Sequence, residues 1–446
     1  MSLASAPARL TSFDGGLTSL AEVYRPDRYR QLDQIPPDRV RIARGGGYSY
    51  VAASFGAGAA VVDARAFDRL LSFDPESGVL VCEAGASLGK IYALATPRGF
   101  HLPVQPGYPH ITIGGCIAGD VHGKNPARDG TFRRQLRELT LLHPRHGVLR
   151  LDPSSAGDAF DLTCGGFGLT GHILTATLQL ARLPGGGILA RRHPVGRLED
   201  APALLAEWAP RSDFIYTWHN LASGRAFGRG FLYTGHLTGR AENAAGPSRG
   251  SRPPNPRTAR YARGSLPLFG PFTARVFNHA FEWQQRATAA EGELSVFEFL
   301  FPVARRMVYF QLFGRRGFHE CQLLLPRQAF PEFASRVRQA VARLGVPITL
   351  CSCKLFSGPP SLLRFDGDGI CVALDFARGR AATAFAGFLD ELACDLGGRP
   401  NLLKDSRLPR RVVQACFPEY DRFVTALARF DPGRQFRSEL SERLGL

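Results

Sequence analysis

The sequence predicts an α+β chain, on three observations. Up to about residue 183 short apolar strands alternate with glycine-rich turns; at Pro184, Gly185, Gly186 and Gly187 the chain is broken; beyond that break strands and helical stretches interleave. Length agrees, since 446 residues suffice for two or three domains with a sizeable core. So does composition: 44% hydrophobic and 21% charged residues mark a folded globular chain.

Taken in order, Val40 to Arg44 reads as a strand, Gly45-Gly46-Gly47 as a turn, Ala59 to Asp63 as a second strand and Val79 to Gly85 as a third. Ser87 can cap a helix from Leu88 to Thr96, closed by Pro97 and Gly99. Residues 107–125, GYPHITIGGCIAGDVHGKN, are too irregular for one long helix and too apolar for a surface linker. Gly165 to Gly171 leads into an alternating strand from His172 to Leu180. Past the break, strands are expected at Phe297 to Pro302, Glu320 to Leu325, Ile348 to Leu355 and Ile370 to Phe376. Helices are expected at Arg327 to Leu344, Ala381 to Leu396 and Phe417 to Phe430. Residues 239–263, rich in Pro, Gly, Ser and Arg, cannot bury apolar surface and read as a mobile loop, either a lid or a plain insertion.

No apolar run is long enough to span a membrane and the N-terminus lacks a secretory pattern, so a cytoplasmic protein is expected, with peripheral membrane contact allowed. Nine scattered cysteines, an odd number, do not form a disulfide framework, and reduced thiols without a structural metal are expected. The formal charge of +16 is spread along the chain without a recognition helix or RNA-binding signature. That argues against nucleic acid and toward anionic substrates or a membrane surface, although a basic non-catalytic RNA- or membrane-surface-binding protein stays open as an alternative. Of the 55 basic residues only Lys90, Lys124, Lys354 and Lys404 are lysines. Lysine offers what arginine cannot, a compact ammonium whose pKa burial can lower, so these four are candidates for a reacting centre.

RGGGYSY follows a strand, where backbone N–H groups can converge on a phosphate; it is neither a Rossmann fingerprint nor a P-loop. Alone, such a turn is more often structural. Two further elements, TIGGCIAGDVHG and GGFGLTGH, fall within the same 180 residues, and one elongated dinucleotide would account for all three.

ARGGGYSY, PGYPHITIGGCIAGDVHGKN, GGFGLTGHI, LLKDSR and FDPGRQF together resemble the FAD-binding oxidoreductases of the vanillyl-alcohol-oxidase superfamily, in particular the branch that oxidises a polyprenylphosphoryl ribose. The resemblance spans nearly the whole chain, is strongest in the first 180 and last 50 residues, and is thin from about 185 to 300; HGKN and KDSR are its specific motifs. It implies a PCMH-type FAD-binding domain of two α/β subdomains at 7–183. A substrate domain with an antiparallel sheet flanked by helices would follow at 184–398, and a C-terminal segment, 399–446, would return to the first. FAD would be held without a covalent bond by Ala43, Arg44, Gly45, Gly46, Gly47, Tyr48, Ser49 and Tyr50 at the pyrophosphate turn. Gly107, Thr112, Ile113, Gly114, Gly115, Gly119, Asp120, Val121, His122 and Ile173 would line the rest.

The implied reaction removes a hydroxyl proton and a hydride from one carbinol carbon. Lys404 is the first candidate for substrate binding and proton handling, with His122 as the alternative base and Tyr50 beside the flavin; Lys124, Gln322 and Lys354 would also contact substrate and Trp218 would wall the pocket. The chain departs from the resemblance at Cys371, Ala373 and Asn401, so a related ribosylated or phosphorylated sugar is equally allowed. The oxidation could be the oxidative half of an epimerisation completed by a partner short-chain reductase. An aldonolactone, alditol or natural-product oxidase is the runner-up.

Overall fold

Hydrophobic alternation along the strands sets the architecture of this computed structural model, which describes residues 3–155, 157–185, 187–222, 224, 226–239, 266–305 and 307–446. Most of the loop expected at 239–263 therefore lies outside the described residues.

Three main sheets form. The first runs in the order Ser5–Thr11, Thr18–Tyr24, Ala60–Asp63, Arg41–Arg44; its outer hairpin is antiparallel, and Ala60–Asp63 is parallel to both neighbours. The second is antiparallel throughout, in the order Leu70–Phe73, Val79–Glu83, His172–Gln179, Leu136–His143, Gly147–Leu151. Every second residue of His172–Gln179 is buried, the period a half-buried strand requires.

The third sheet has eight antiparallel strands in the order Glu291–Ser295, Gly187–Val195, Gly230–Leu237, Phe214–His219, Ile348–Phe356, Gly369–Ala377, Phe318–Leu325, Arg399–Pro400. One face carries Cys321, Leu323, Cys351, Cys353, Val372 and Leu374 into a core shared with the helices Phe330–Leu344 and Arg380–Asp395. By the period of two, the other face carries Glu320, Gln322, Lys354, Asp375 and Trp218. Both faces are covered, so all eight residues of Phe318–Leu325 are buried.

The C-terminal segment returns to the first sheet. Arg41 N–H donates to the Gln435 carbonyl at 2.8 Å, and Glu439 N–H to the Phe55 carbonyl at 3.0 Å.

Most expected elements lie within a few residues of their places. The helix capped by Ser87 spans Leu88–Ala95, with Ser87 Oγ accepting from Lys90 N–H at 3.2 Å. The strand expected at 297–302 is a correction: Val296–Leu300 is helical. Ser295 Oγ accepts from Glu298 N–H at 3.2 Å while Glu298 Oε2 accepts from Ser295 N–H at 3.3 Å, a capping box that starts a helix despite the aromatic run. The Pro271–Ala287 helix and the strands at 5–24, 136–151 and 187–237 lay outside the expectation. All nine cysteines are unpaired. Among the described residues no helix is long and apolar enough to cross a membrane.

Candidate active site

The three glycine elements pack on one another. A Cβ on Gly46 would stand 2.6 Å from the His110 carbonyl oxygen, and one on Gly45 only 2.1 Å from Thr112 Oγ1. The first turn can therefore reach the second element only without side chains. The second element forms the short helix Ile113–Gly119, started by Thr112, whose Oγ1 accepts from Gly115 N–H at 3.3 Å. The third is tied to that helix: Gly165 N–H donates to the Ile117 carbonyl at 2.9 Å and Phe167 N–H to that of Ala118 at 2.8 Å.

Between them runs a cavity of about 330 Å³. Ala43, Gly45, Gly46, Gly47, Tyr48, Ser49, Tyr50, Gly107, Thr112, Gly114, Gly115, Gly119, Asp120, Val121, His122 and Ile173 line it, and Gln322, Lys354, Asn401 and Lys404 close its far end. At Gly115 a Cβ would meet only Thr112 Oγ1, at 3.3 Å, and at Gly107 nothing nearer than 3.5 Å. These positions border open space, and side chains there would fill it.

Four predicted site residues do not reach the cavity wall. Arg44 turns away to donate to Ser54 Oγ at 2.7 Å, over the Phe55 ring. Ile113 is fully buried in the neighbouring core. Lys124 Nζ lies 5.2 Å from the Tyr216 ring centre and 5.4 Å from that of Phe299. Trp218 shares the sheet face of Lys354 but packs its indole against Phe281, centroids 4.7 Å apart, and Phe231. The HGKN motif is nonetheless anchored, because buried Asn125 donates to the carbonyls of Ala209 and Ser212 at 3.1 and 2.8 Å.

The polar end is a connected network. Lys404 Nζ contacts Glu320 Oε1 at 3.0 Å and stands 3.7 Å from the centre of the Tyr50 ring. Gln322 Nε2 donates to the same Glu320 oxygen at 2.5 Å, and Asn401 Nδ2 to Gln322 Oε1 at 2.9 Å. Lys354 Nζ donates to the Gly123 carbonyl at 3.0 Å and lies 3.4 Å from His122 Nδ1. The rest of KDSR anchors Lys404 from behind: Arg407 pairs with Asp390 and Asp405, and Ser406 donates to Asp14. Sequence reasoning missed Glu320 and its cross-strand neighbour Asp375. The available signal was Asp375, a lone acid within the otherwise apolar strand Gly369–Ala377, which is costly to bury unless paired.

Burial, aided by the Lys354 ammonium, pushes the His122 imidazole down to about 3, so it is neutral at pH 7. Burial, with Lys404 nearby, brings the Lys354 ammonium down to about 8. Burial and the Glu320 carboxylate raise the Tyr50 phenol well above its usual range, and it stays protonated. The arrangement supplies a neutral imidazole, two lysine side chains and two carboxamides at one end of a backbone-lined groove. That set can bind a polyhydroxylated or anionic group and move one proton.

Residues 38–152, which hold the first two glycine elements, match the FAD binding domain family. The chain is 28% identical to decaprenylphosphoryl-beta-D-ribose oxidase of Mycolicibacterium smegmatis, over 91% of this chain and 89% of that protein. It is 30% identical to an uncharacterized protein of Streptomyces coelicolor, over 81% of this chain and all of the relative. It is 24% identical to L-gulono-1,4-lactone dehydrogenase of Mycobacterium tuberculosis, over 91% and 90%. An extended dinucleotide suits a groove whose walls are backbone and open glycine Cα atoms, so geometry and kinship agree: the chain belongs to the FAD-binding oxidoreductases of the vanillyl-alcohol-oxidase superfamily, FAD-dependent enzymes acting on CH–OH groups.

Proposed function

We propose that the protein oxidises one hydroxyl of a ribosyl or phosphorylated sugar to a ketone, as the oxidative half of an epimerisation. The observation that carries this reading is the convergence of three glycine elements on a groove that ends on Lys404, Lys354, His122, Gln322 and Asn401. Kinship with a protein named for ribose oxidation supports the substrate class.

In this reading residues 7–183 and 399–446 form the PCMH-type cofactor domain of two α/β subdomains, and 184–398 form the substrate domain. Ala43 to Tyr50, apart from Arg44, and the lining residues from Gly107 to Ile173 hold FAD without a covalent bond. Bound FAD supplies the hydride acceptor. Lys404 takes the hydroxyl proton, Gln322 and Asn401 orient the sugar, and Lys354 supplies positive charge for an anionic group. Neutral His122, with Nδ1 turned to Gly123 and Lys354, offers Nε2 to the substrate as a hydrogen-bonding partner or second base. Apolar Val121, Phe365 and Leu403 on the cavity wall keep water from the reacting carbon. A cytoplasmic location and a separate reductase acting on the ketone complete the proposal.

The kinship with a lactone dehydrogenase favours a second reading, oxidation of an aldonolactone. One experiment separates the two: anaerobic bleaching of the purified yellow protein against ribosyl phosphates, polyprenyl-linked ribose and aldonolactones. Bleaching by the ribosyl substrates supports the first reading and bleaching by lactones alone the second. Colourless protein that takes up no added FAD would sink both.

A further inference from the structure

Beneath Lys404 the sheet buries two carboxyl groups side by side. Glu320 and Asp375 are direct cross-strand partners, so both side chains rise from one face. They are 5% and 2% exposed, and the Glu320 carboxylate acts directly on the Asp375 carboxyl. Their other contacts are few. Lys404 and Gln322 both serve Glu320 Oε1, at 3.0 and 2.5 Å, while the Tyr309 hydroxyl donates to Asp375 Oδ2 at 3.0 Å. Asp375 Oδ1 is buried and meets no donor. The surroundings are the aromatic cluster of Phe13, Phe310 and Phe318.

Among the described residues, the titratable groups that act on the pair are Lys404 from the C-terminal segment, Lys354 from the adjacent strand, the Cys371 thiol from the strand of Asp375, Tyr50 from the first glycine turn and Tyr309. One ammonium in contact cannot hold two ionised carboxylates in an apolar surround, whereas one proton shared between them leaves a single charge for Lys404 and gives Asp375 Oδ1 a partner.

We propose that Glu320 and Asp375 hold one proton between them and act through Lys404 as positioning residues, taking up the proton that Lys404 must shed before its amine can accept one from the substrate hydroxyl. The inference rests on the reading of Lys404 as the proton acceptor. Its balance is closed: the Lys404 ammonium passes one proton to the pair, which then holds two. The amine takes the hydroxyl proton as the carbinol hydride leaves for the cofactor, and the pair returns its extra proton to water once the ketone departs. Burial and the neighbouring Glu320 hold the Asp375 carboxyl well above the usual range, the direction this sharing needs.

The test uses FAD-loaded protein and three variants: Asp375→Asn, Glu320→Gln and Lys404→Met. Infrared spectra at neutral pH are expected to show the band of a protonated carboxylic acid that disappears in Asp375→Asn, a readout independent of turnover. Anaerobic flavin reduction is expected to slow roughly tenfold or more in Asp375→Asn with KM unchanged, to lose its wild-type pH dependence in both carboxyl variants, and to be restored in part by Asp375→Glu. Should the carboxylic acid band be absent from the wild type, or both carboxyl variants keep the wild-type rate and pH profile while Lys404→Met is inactive, the pair has no such role. Wild-type reduction in Lys404→Met overturns the underlying assignment of Lys404 instead.

Discussion

Lys354 Nζ lies 3.4 Å from His122 Nδ1, and both groups hydrogen-bond the Gly123 carbonyl. An ammonium so close opposes a charge on the imidazole, and burial opposes both. The titrations are thereby driven apart, to about 3 for His122 and about 8 for Lys354. Over the range between, the site holds one positive charge at this point and one neutral base.

That separation predicts a pH dependence whose sign follows from the Lys354 shift. Lys354 is charged below about 8 and loses its proton as pH rises through that value. The KM for a phosphorylated sugar is expected to rise across that limb in the wild type. In Lys354→Met it should be higher by roughly 10- to 100-fold, the loss of one charge-assisted contact, and flat with pH. A pH profile of kcat/KM for both proteins checks this, and an identical alkaline limb in the variant would remove Lys354 from substrate binding.

The Lys404 ammonium is held between the Glu320 carboxylate and the face of Tyr50, away from the glycine walls. Lys404→Met is therefore expected to keep its flavin, judged by the visible spectrum of the purified protein. Stopped-flow measurement of anaerobic flavin reduction by substrate should show a fall of roughly 100- to 10,000-fold, the range for a lost acid–base group. Reduction at the wild-type rate would mean that another group takes the proton.

Residues differ in how far the sequence betrays them, and the difference has a physical basis. Gly45 to Gly47 and Gly114 to Gly115 were legible because glycine density inside an apolar stretch is a local property of the chain. Lys354 and Lys404 were legible because lysine is rare in this sequence. The Glu320–Asp375 pair was not, since it depends on the register between strands 55 positions apart. Lys124 stood out as a residue of the HGKN motif and Trp218 as a wall implied by the resemblance, yet their directions are set by Tyr216, Phe299 and Phe281, which no local pattern connects to them. The helix at Val296–Leu300 was readable from Ser295 and Glu298, but the aromatic run between them reads equally well as strand.

The glycine walls can be separated into packing and lining positions. A Cβ at Gly115 meets only Thr112 Oγ1, at 3.3 Å, so Gly115→Val is expected to fold with near wild-type thermal stability while its side chain obstructs the cavity. Gly46→Ala would drive a methyl to 2.6 Å from the His110 backbone oxygen, a contact that cannot relax by a rotamer change, and is expected to impair folding itself. Flavin content and circular dichroism read the two cases apart. Full FAD loading in Gly115→Val would make the second glycine element a packing device only.

Arg364 ties the cavity wall to the third glycine element. It is 2% exposed, with Nη1 donating to the carbonyls of Asp161 and Cys164 at 3.0 and 3.2 Å and Nε lying 3.3 Å from Asp366 Oδ2 and 3.7 Å from Asp120 Oδ2. Asp120 lines the cavity in a left-handed conformation at φ 38°, and burial raises its carboxyl to about 6 even with Arg364 beside it. Arg364→Met keeps much of the side-chain volume but removes the positive charge between the Asp120 and Asp366 carboxylates and the donor to the Asp161 and Cys164 carbonyls. The expected cost is about 3–5 kcal/mol in urea denaturation, the range for breaking a buried ion pair from one side. Because the same guanidinium fixes the turn at Gly165, flavin occupancy should fall along with stability. A variant as stable as the wild type and fully loaded with FAD would show that the backbone alone holds these two elements together.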